Sequence, residues 1–357
     1  MAYTTIDDGS AYFQAVLYTG NASDGHAITF DGNSDLQPDL VWIKPRSFAG
    51  WHVVTDTSRG LTKNIYPNDA YQEETNTTRI QSMNSDGFTI NNDADTINKS
   101  SQTIVAWAWK ANGGTRVTFT ESGNNPAGGY QVNNTSGFSI VDYTGTGGNG
   151  TIAHGMTGGK KPTVVFVKNR DVGDAWAVGF RAFSSSFAHP GVLDTDAAFA
   201  NSDDEFNDSH PGDTTFSVGT NHSTNADNEK YIAYVWAPIQ GFSQDGSYKG
   251  SGIADGPFIY TGFKPALIII KKTSATQDWQ IRDNKRDPFN KDSSQILFAS
   301  IPDAEATSTN NIVNFVSNGF KIRGTGGDHN EAGGDFVYLA FAEHPFVSSE
   351  GVPCTAR

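Results

Sequence analysis

The chain writes one phrase three times. PDLVWIKPRSFAGW runs from Pro38 to Trp51, KPTVVFVKNRDVGDAW from Lys161 to Trp176, and KPALIIIKKTSATQDW from Lys264 to Trp279. Proline to lysine is the same step each time (38 to 44, 162 to 168, 265 to 271), and a tryptophan stands seven, eight and eight residues beyond the lysine. Each copy continues with a phenylalanine in an alternating stretch: GFTI at 87–90, TFSV at 215–218 and GFKI at 319–322. Each closes on an aromatic-rich apolar run: TIVAWAW at 103–109, YIAYVWA at 231–237 and FVYLAFA at 336–342. The gap from that phenylalanine to the last aromatic also matches: 88 to 109, 216 to 236, 320 to 341.

The repeat length decides the architecture to expect. Prolines 38, 162 and 265 are 124 and 103 residues apart, far above the roughly 20–50 residues of solenoid or propeller repeats. A unit of about a hundred residues can bury a core of its own. The sequence therefore predicts three tandem units, over 1–112, 137–240 and 241–345. The Gly-, Asn- and Pro-rich stretch 113–136 reads as a linker or an added hairpin, and 346–357 as a C-terminal tail.

Within a unit the pattern is that of strands. In the third, Phe258–Tyr260, Trp279–Arg282, Gln295–Phe298 and Phe320–Arg323 alternate, while Ala266–Lys271 and Phe336–Ala342 are continuous apolar runs suited to a sheet buried on both faces. No window carries an apolar 3.6-residue period of helical length. Thirty-eight glycines, with many Asn, Asp, Ser and Thr, supply turns. The fold class expected is all-β: three antiparallel sandwiches of jelly-roll or concanavalin-like type. Aromatics at 12% and at regular positions exclude disorder.

The recurring phrase has a packing interpretation. Proline fits a strand start, where its missing N–H costs no ladder bond. Lys44, Lys168 and Lys271 end the run, where a long stem covers apolar surface and the ammonium stays in water. Trp51, Trp176 and Trp279 are expected to seal one end of each sandwich, since large aromatics dominate cores. The competing role is a solvent-facing tryptophan that stacks on a sugar ring.

Charge and motifs remove most chemistry. The net charge of −14 opposes nucleic-acid binding, which needs clustered Lys and Arg. No run of 18 apolar residues offers a membrane span, the opening MAYTTIDDGSAYF lacks the features of a secretory signal, and one cysteine, Cys354, allows no internal disulfide. The acidic loop DTDAAFANSDDEFND at 194–208 offers Asp194, Asp196, Asp203, Asp204, Glu205 and Asp208. Calcium takes oxygen ligands of this kind, but EF-hand spacing is absent and neither other repeat has such a loop. A solvated loop is the preferred interpretation, with calcium left open. A glycosidase needs two carboxylates across a cleft, and Asp303 and Glu305 in PDAEA are the nearest candidates. No G-x-S-x-G nucleophile or P-loop appears, since GGKKP at 158–162 fails the pattern. The eight histidines never fall as H-x-H or H-x-x-x-H, and His329 in GGDHNEAGG reads as a surface residue. No catalytic, cofactor-binding or metal-ligating residue is predicted, and the ligand-binding residues stay open.

Several stretches carry a resemblance to a known group: MAYTTIDDGSAYF with LYTGN at 17–21, QPDLVWIKPRS at 37–47, SDGFTI at 85–90, IVAWAWKA at 104–111, GSYKGSGIADGPFIYTGFKPALIIIKK at 246–272, DNKRDPFN at 283–290, SNGFKIR at 317–323 and FAEHPFVSSEGVPCTAR at 341–357. Over essentially its whole length the chain resembles uncharacterised virion structural proteins of marine tailed phages, of the cyanophage and pelagiphage type. The resemblance implies particle assembly rather than catalysis, with location on the virion surface after assembly in the host cytoplasm. The first function expected is a tail-associated receptor-binding or host-adhesion module that contacts host-surface glycans. A capsid decoration or head-fibre protein is the alternative, and a glycan depolymerase a second. Implied partners are other virion proteins and sister chains, most simply in a trimer, with no nucleic acid, membrane insertion or cofactor.

Overall fold

In the computed structural model, which describes residues 2–354, the regular structure is almost entirely antiparallel strand, with two α-helices of four residues each and one 3-10 turn among the described residues. The strands of each repeat pair among themselves. In the first, the sheet order is Phe13–Thr19, Thr103–Trp109, Leu40–Pro45, Val53–Asp56. In the second, the same order is met by Phe138–Thr144, Lys230–Trp236, Val164–Asn169 and Ala177–Phe180. In the third it is Ser243–Lys249, Asp335–Pro345, Phe263–Lys272 and Gln280–Asp283. The stretch 113–136 carries a hairpin, Val117–Phe119 with Ala127–Asn133, that extends the second sheet. Each main sheet is backed by a small one that contains the recurring phenylalanine: Phe88, Phe216 or Phe320.

Register makes the repeats comparable residue by residue. Trp42, Phe166 and Ile269 lie opposite Trp107, Tyr234 and Leu339. Lys44, Lys168 and Lys271 lie opposite Val105, Ile232 and Val337. Successive side chains on a strand point to opposite faces, so each phrase feeds two cores at once. In the first repeat Val41, Ile43, Ile104, Ala106 and Ala108 pack with the small sheet, while Leu40, Trp42, Val105, Trp107 and Trp109 point the other way. In the second, Val165, Val167, Ala233 and Val235 face the small sheet, against Val164, Phe166, Ile232, Tyr234 and Trp236. The outward-turned sets of all three repeats meet in one continuous cluster. At its middle three equivalent rings, Trp109, Trp236 and Phe341, pack with centroids 5.5–6.3 Å apart.

Both chain ends are tied to the third repeat. Tyr3 bonds to Tyr260 and to the Gly262 carbonyl, Thr4 bonds to the Gln240 carbonyl, and Ile6 joins the common core. Ser349 bonds to Asp7, and the Phe346 N–H reaches the Gly262 carbonyl. The last three residues of the predicted tail, 355–357, lie outside the described residues.

Inside each repeat one asparagine closes the small sheet onto the main one. Asn98, Asn225 and Asn330 are fully buried. Each donates its amide to two carbonyls (Ser23 and Asn91; Gly148 and Gly219; Ile253 and Gly324) and accepts one N–H, from Asn21, Thr146 or Ser251. A buried amide so satisfied specifies one arrangement of its loops. Directly opposite stands Gly20, Gly145 or Gly250, where a Cβ would come within 2.2 Å of a backbone oxygen. Only glycine fits there.

Candidate binding sites at the junctions between repeats

The recurring lysines are not surface stems. Lys44, Lys168 and Lys271 are completely buried, which corrects the expectation of a wet ammonium. Each crosses to the loop of another repeat and caps a carbonyl there: Lys44 to Pro302 at 2.9 Å, Lys168 to Ala70 at 3.0 Å, Lys271 to Asp196 at 3.1 Å. The order is first to third, second to first, third to second, so the junctions close into a ring. Burial pulls the three amines down, Lys44 to about 7 and the other two to about 8. The lysines are held at these positions by carbonyls that turns leave without strand partners.

The tryptophan position also needs correction. Trp176 and Trp279 are buried, but they seal the junctions rather than a sandwich end: their indole N–H groups donate to the carbonyls of Tyr66 and Val192, in the neighbouring repeat. In the first repeat the equivalent residue is His52, not Trp51. Its Nδ1 accepts the Trp42 indole N–H at 2.8 Å, which leaves Nε2 to donate to the Phe298 carbonyl at 2.9 Å. In that tautomer imidazole presents an N–H as indole does. The seven-residue spacing in the first phrase signals the offset. Trp51, one residue earlier, is 38% exposed.

Two junctions are electrostatic and one is not. Where the second repeat meets the first, Arg59 pairs with Asp56 and Glu73, Arg170 of the second repeat pairs with the same Glu73, and the Tyr234 hydroxyl donates to Asp56. Where the first meets the third, Arg286 pairs with Asp283 and Glu305, Arg46 pairs with Glu305, and the Trp107 N–H donates to Asp283. Burial opposes the charges of Arg59 and Arg286, but the surrounding carboxylates outweigh it and hold their pKa values up. At the third junction the same five positions are Phe180, Phe183, Phe199, Thr273 and Leu339, an uncharged set of four apolar residues and a threonine in which Phe183 and Phe199 stand 5.3 Å apart. Glu305 is thus an interface partner of two arginines.

The acidic loop is shared out in the same manner. Asp194 accepts the Trp176 backbone N–H, a role held by Asn68 for the backbone of His52 and by Ser300 for that of Trp279. The Asp196 carbonyl caps Lys271, Asp204 accepts from Thr220, and Glu205 accepts from Ser202 and Asn221. Among the described residues no group of three or more His, Cys, Asp or Glu side chains converges to hold a metal ion. His329 is also corrected, since it is fully buried. Burial first, then the nearby Arg282 charge, depress its pKa to about 3. Four-residue helices carry both His222 and His329, yet only His222 faces solvent, beside Asp174 and Glu229.

What remains open at each junction is one equivalent spot beside the buried N–H donor. In the first repeat it holds Trp51, Tyr66 and Tyr71. Trp51 lies 4.9 Å from the Tyr66 ring and 6.2 Å from Tyr71, which is 50% exposed. In the second repeat the counterparts are Ala175, Val192 and Ala197, and they leave a hollow of about 240 Å³ rimmed by Asp174, Glu205 and Asn221. In the third they are Asp278, Phe298 and Asp303, with Asp278 accepting from Ser300. The junction frame therefore tolerates aromatic, small or acidic residues at this spot.

A family model described as a domain of unknown function (DUF7483) matches residues 8–345. No curated protein and no solved structure matches the chain.

Proposed function

We propose that this chain, which belongs to the DUF7483 family, is a non-catalytic protein of a virion exterior, a tail-associated module that recognises the host surface. One observation carries the reading: the charge clusters at the junctions, Asp56–Arg59–Glu73–Arg170 and Asp283–Arg286–Glu305–Arg46, each buried at its Asp–Arg pair and half-buried elsewhere, join one repeat to the next. Charges placed so make a stiff scaffold, on which surface loops are presented with little entropic cost on binding. The resemblance to virion structural proteins supports the particle; fold alone does not give function. The proposal takes 1–112, 137–240 and 241–345 as three sandwich units. Attachment and trimer formation are assigned to the patch where the chain ends meet, with Phe258, Tyr260 and Val352 exposed.

A map of the whole particle tests this, together with competition of particle adsorption by the purified protein. Density at the tail periphery and reduced adsorption are expected. Density on the capsid shell transfers the chain to the decoration class, and hydrolysis of host polysaccharide by the pure protein makes it a depolymerase. Light scattering that returns a monomer mass removes the trimer.

A further inference from the structure

We propose that Trp51, Tyr66 and Tyr71 form a carbohydrate-binding site for a neutral pyranose unit of a glycan. The inference rests on the recognition reading above and names its ligand class. Trp51 and Tyr71 are exposed rings that contact each other and the buried Tyr66 in a three-ring cluster. Their planes are inclined to one another, Trp51 at 67° to Tyr66 and at 54° to Tyr71, so they form an aromatic corner rather than a flat patch.

The fold does not need these rings. At the matching positions Ala175 and Ala197 serve in the second repeat and Asp278 and Asp303 in the third. In all three repeats the neighbouring N–H donor is nonetheless seated in the same way, as His52, Trp176 or Trp279. Aromatic rings left half in water where alanine suffices keep apolar surface exposed that the fold itself does not require. The second repeat shows the volume such a spot opens to solvent when the rings are missing, about 240 Å³.

The chemistry of the corner selects among ligands. Tyr66 is fixed from behind: its hydroxyl is bonded to Glu74 and to Arg79 at 2.8 Å, and the Arg79 guanidinium lies 5.4 Å from its ring centre. Asp69 orders the Tyr71 backbone through the Tyr71 N–H at 2.8 Å. A ring corner with one carboxylate beside it, Asp69, matches a sugar, whose C–H face is apolar and whose rim is hydroxyl donors. Two exposed rings are far smaller than the roughly 800 Å² per partner of a stable protein interface. A chain of net charge −14 disfavours phosphates and anionic sugars.

Saturation-transfer NMR and tryptophan fluorescence test the site on the intact protein. The probes are neutral hexasaccharides of glucose (β-1,4, β-1,3 and α-1,4), mannose, galactose and N-acetylglucosamine. At least one is expected to bind with a Kd between about 10 µM and 1 mM. Trp51→Ala and Tyr71→Ala should each weaken it tenfold or more with an unchanged melting temperature. Trp51→Tyr should keep part of the affinity, and Phe289→Ala, an exposed aromatic in the third repeat, should keep all of it. No binding by any hexasaccharide overturns the site, as does binding that survives Trp51→Ala. Failure of the virion assignment shows in the particle map and leaves this titration unchanged.

Discussion

At the residue scale, the positions that recur are those that satisfy buried polar groups across a junction. Trp279 fills its pocket with an indole and caps the Val192 carbonyl. Trp279→Ala should cost on the order of 3–5 kcal/mol, read by urea denaturation, through the cavity and the lost bond. His329 occupies the place of Ile97 and Thr224, both buried in the other repeats. Its pKa falls from 6.5 unfolded to about 3 folded. The unfolded chain therefore binds a proton that the folded one refuses between those values. Stability is intact above pH 6.5 and falls as pH drops toward 3. His329→Ile should remove about 2–5 kcal/mol of that acid sensitivity, seen as a flatter dependence of melting temperature on pH from 6.5 to 4. An unchanged slope would show that the acid sensitivity comes from other groups.

At the scale of elements, the chain contains its own comparison of polar and apolar interfaces. Removing one partner from a buried ion cluster strands the others, whereas replacing the whole cluster by well-packed apolar residues is often neutral. Glu305→Ala leaves the half-buried Arg46 without its carboxylate and the buried Arg286 with Asp283 alone, and should destabilise by about 2–4 kcal/mol. The five-fold exchange Arg46→Thr, Trp107→Leu, Asp283→Phe, Arg286→Phe and Glu305→Phe copies the third junction. It should stay within about 2 kcal/mol of the natural chain in guanidinium denaturation. If the five-fold variant is as weak as Glu305→Ala, the equivalence drawn between the junctions fails.

At the scale of the molecule, the three sheets share a core that no single repeat completes. Trp109 of the first repeat packs directly against Trp236 and Phe341 of the others, and Trp42 and Trp107 are buried in the same cluster. Large rings that would face water in an isolated repeat couple the unfolding of all three. Scanning calorimetry of the whole chain should show one cooperative transition. Three resolved transitions would mean that each sandwich is stable alone and that the common core adds little.

The sequence by itself determined the all-β class, the strand positions and the threefold phrase. Period-two alternation, continuous apolar runs and glycine-rich turns are local properties, and the strands expected in the third repeat fall within three residues of the observed ones. Burial on both faces of the phrase was legible too, but not what lay on the second face. Only the tertiary structure decided that. Lys44 is a buried cap because Pro302 turns its carbonyl toward it from 258 residues away, and nothing near Lys44 encodes that approach. His52 stands in for tryptophan because one N–H donor, in one tautomer, meets one carbonyl, and the composition of the phrase hides this behind the adjacent Trp51. Trp51 and Tyr71 stand in solvent because the junction buries the neighbouring N–H donor against another repeat and leaves the position beside it open. Such long-range geometry fixes which side of a strand is core, interface or surface, and alternation alone cannot distinguish the three.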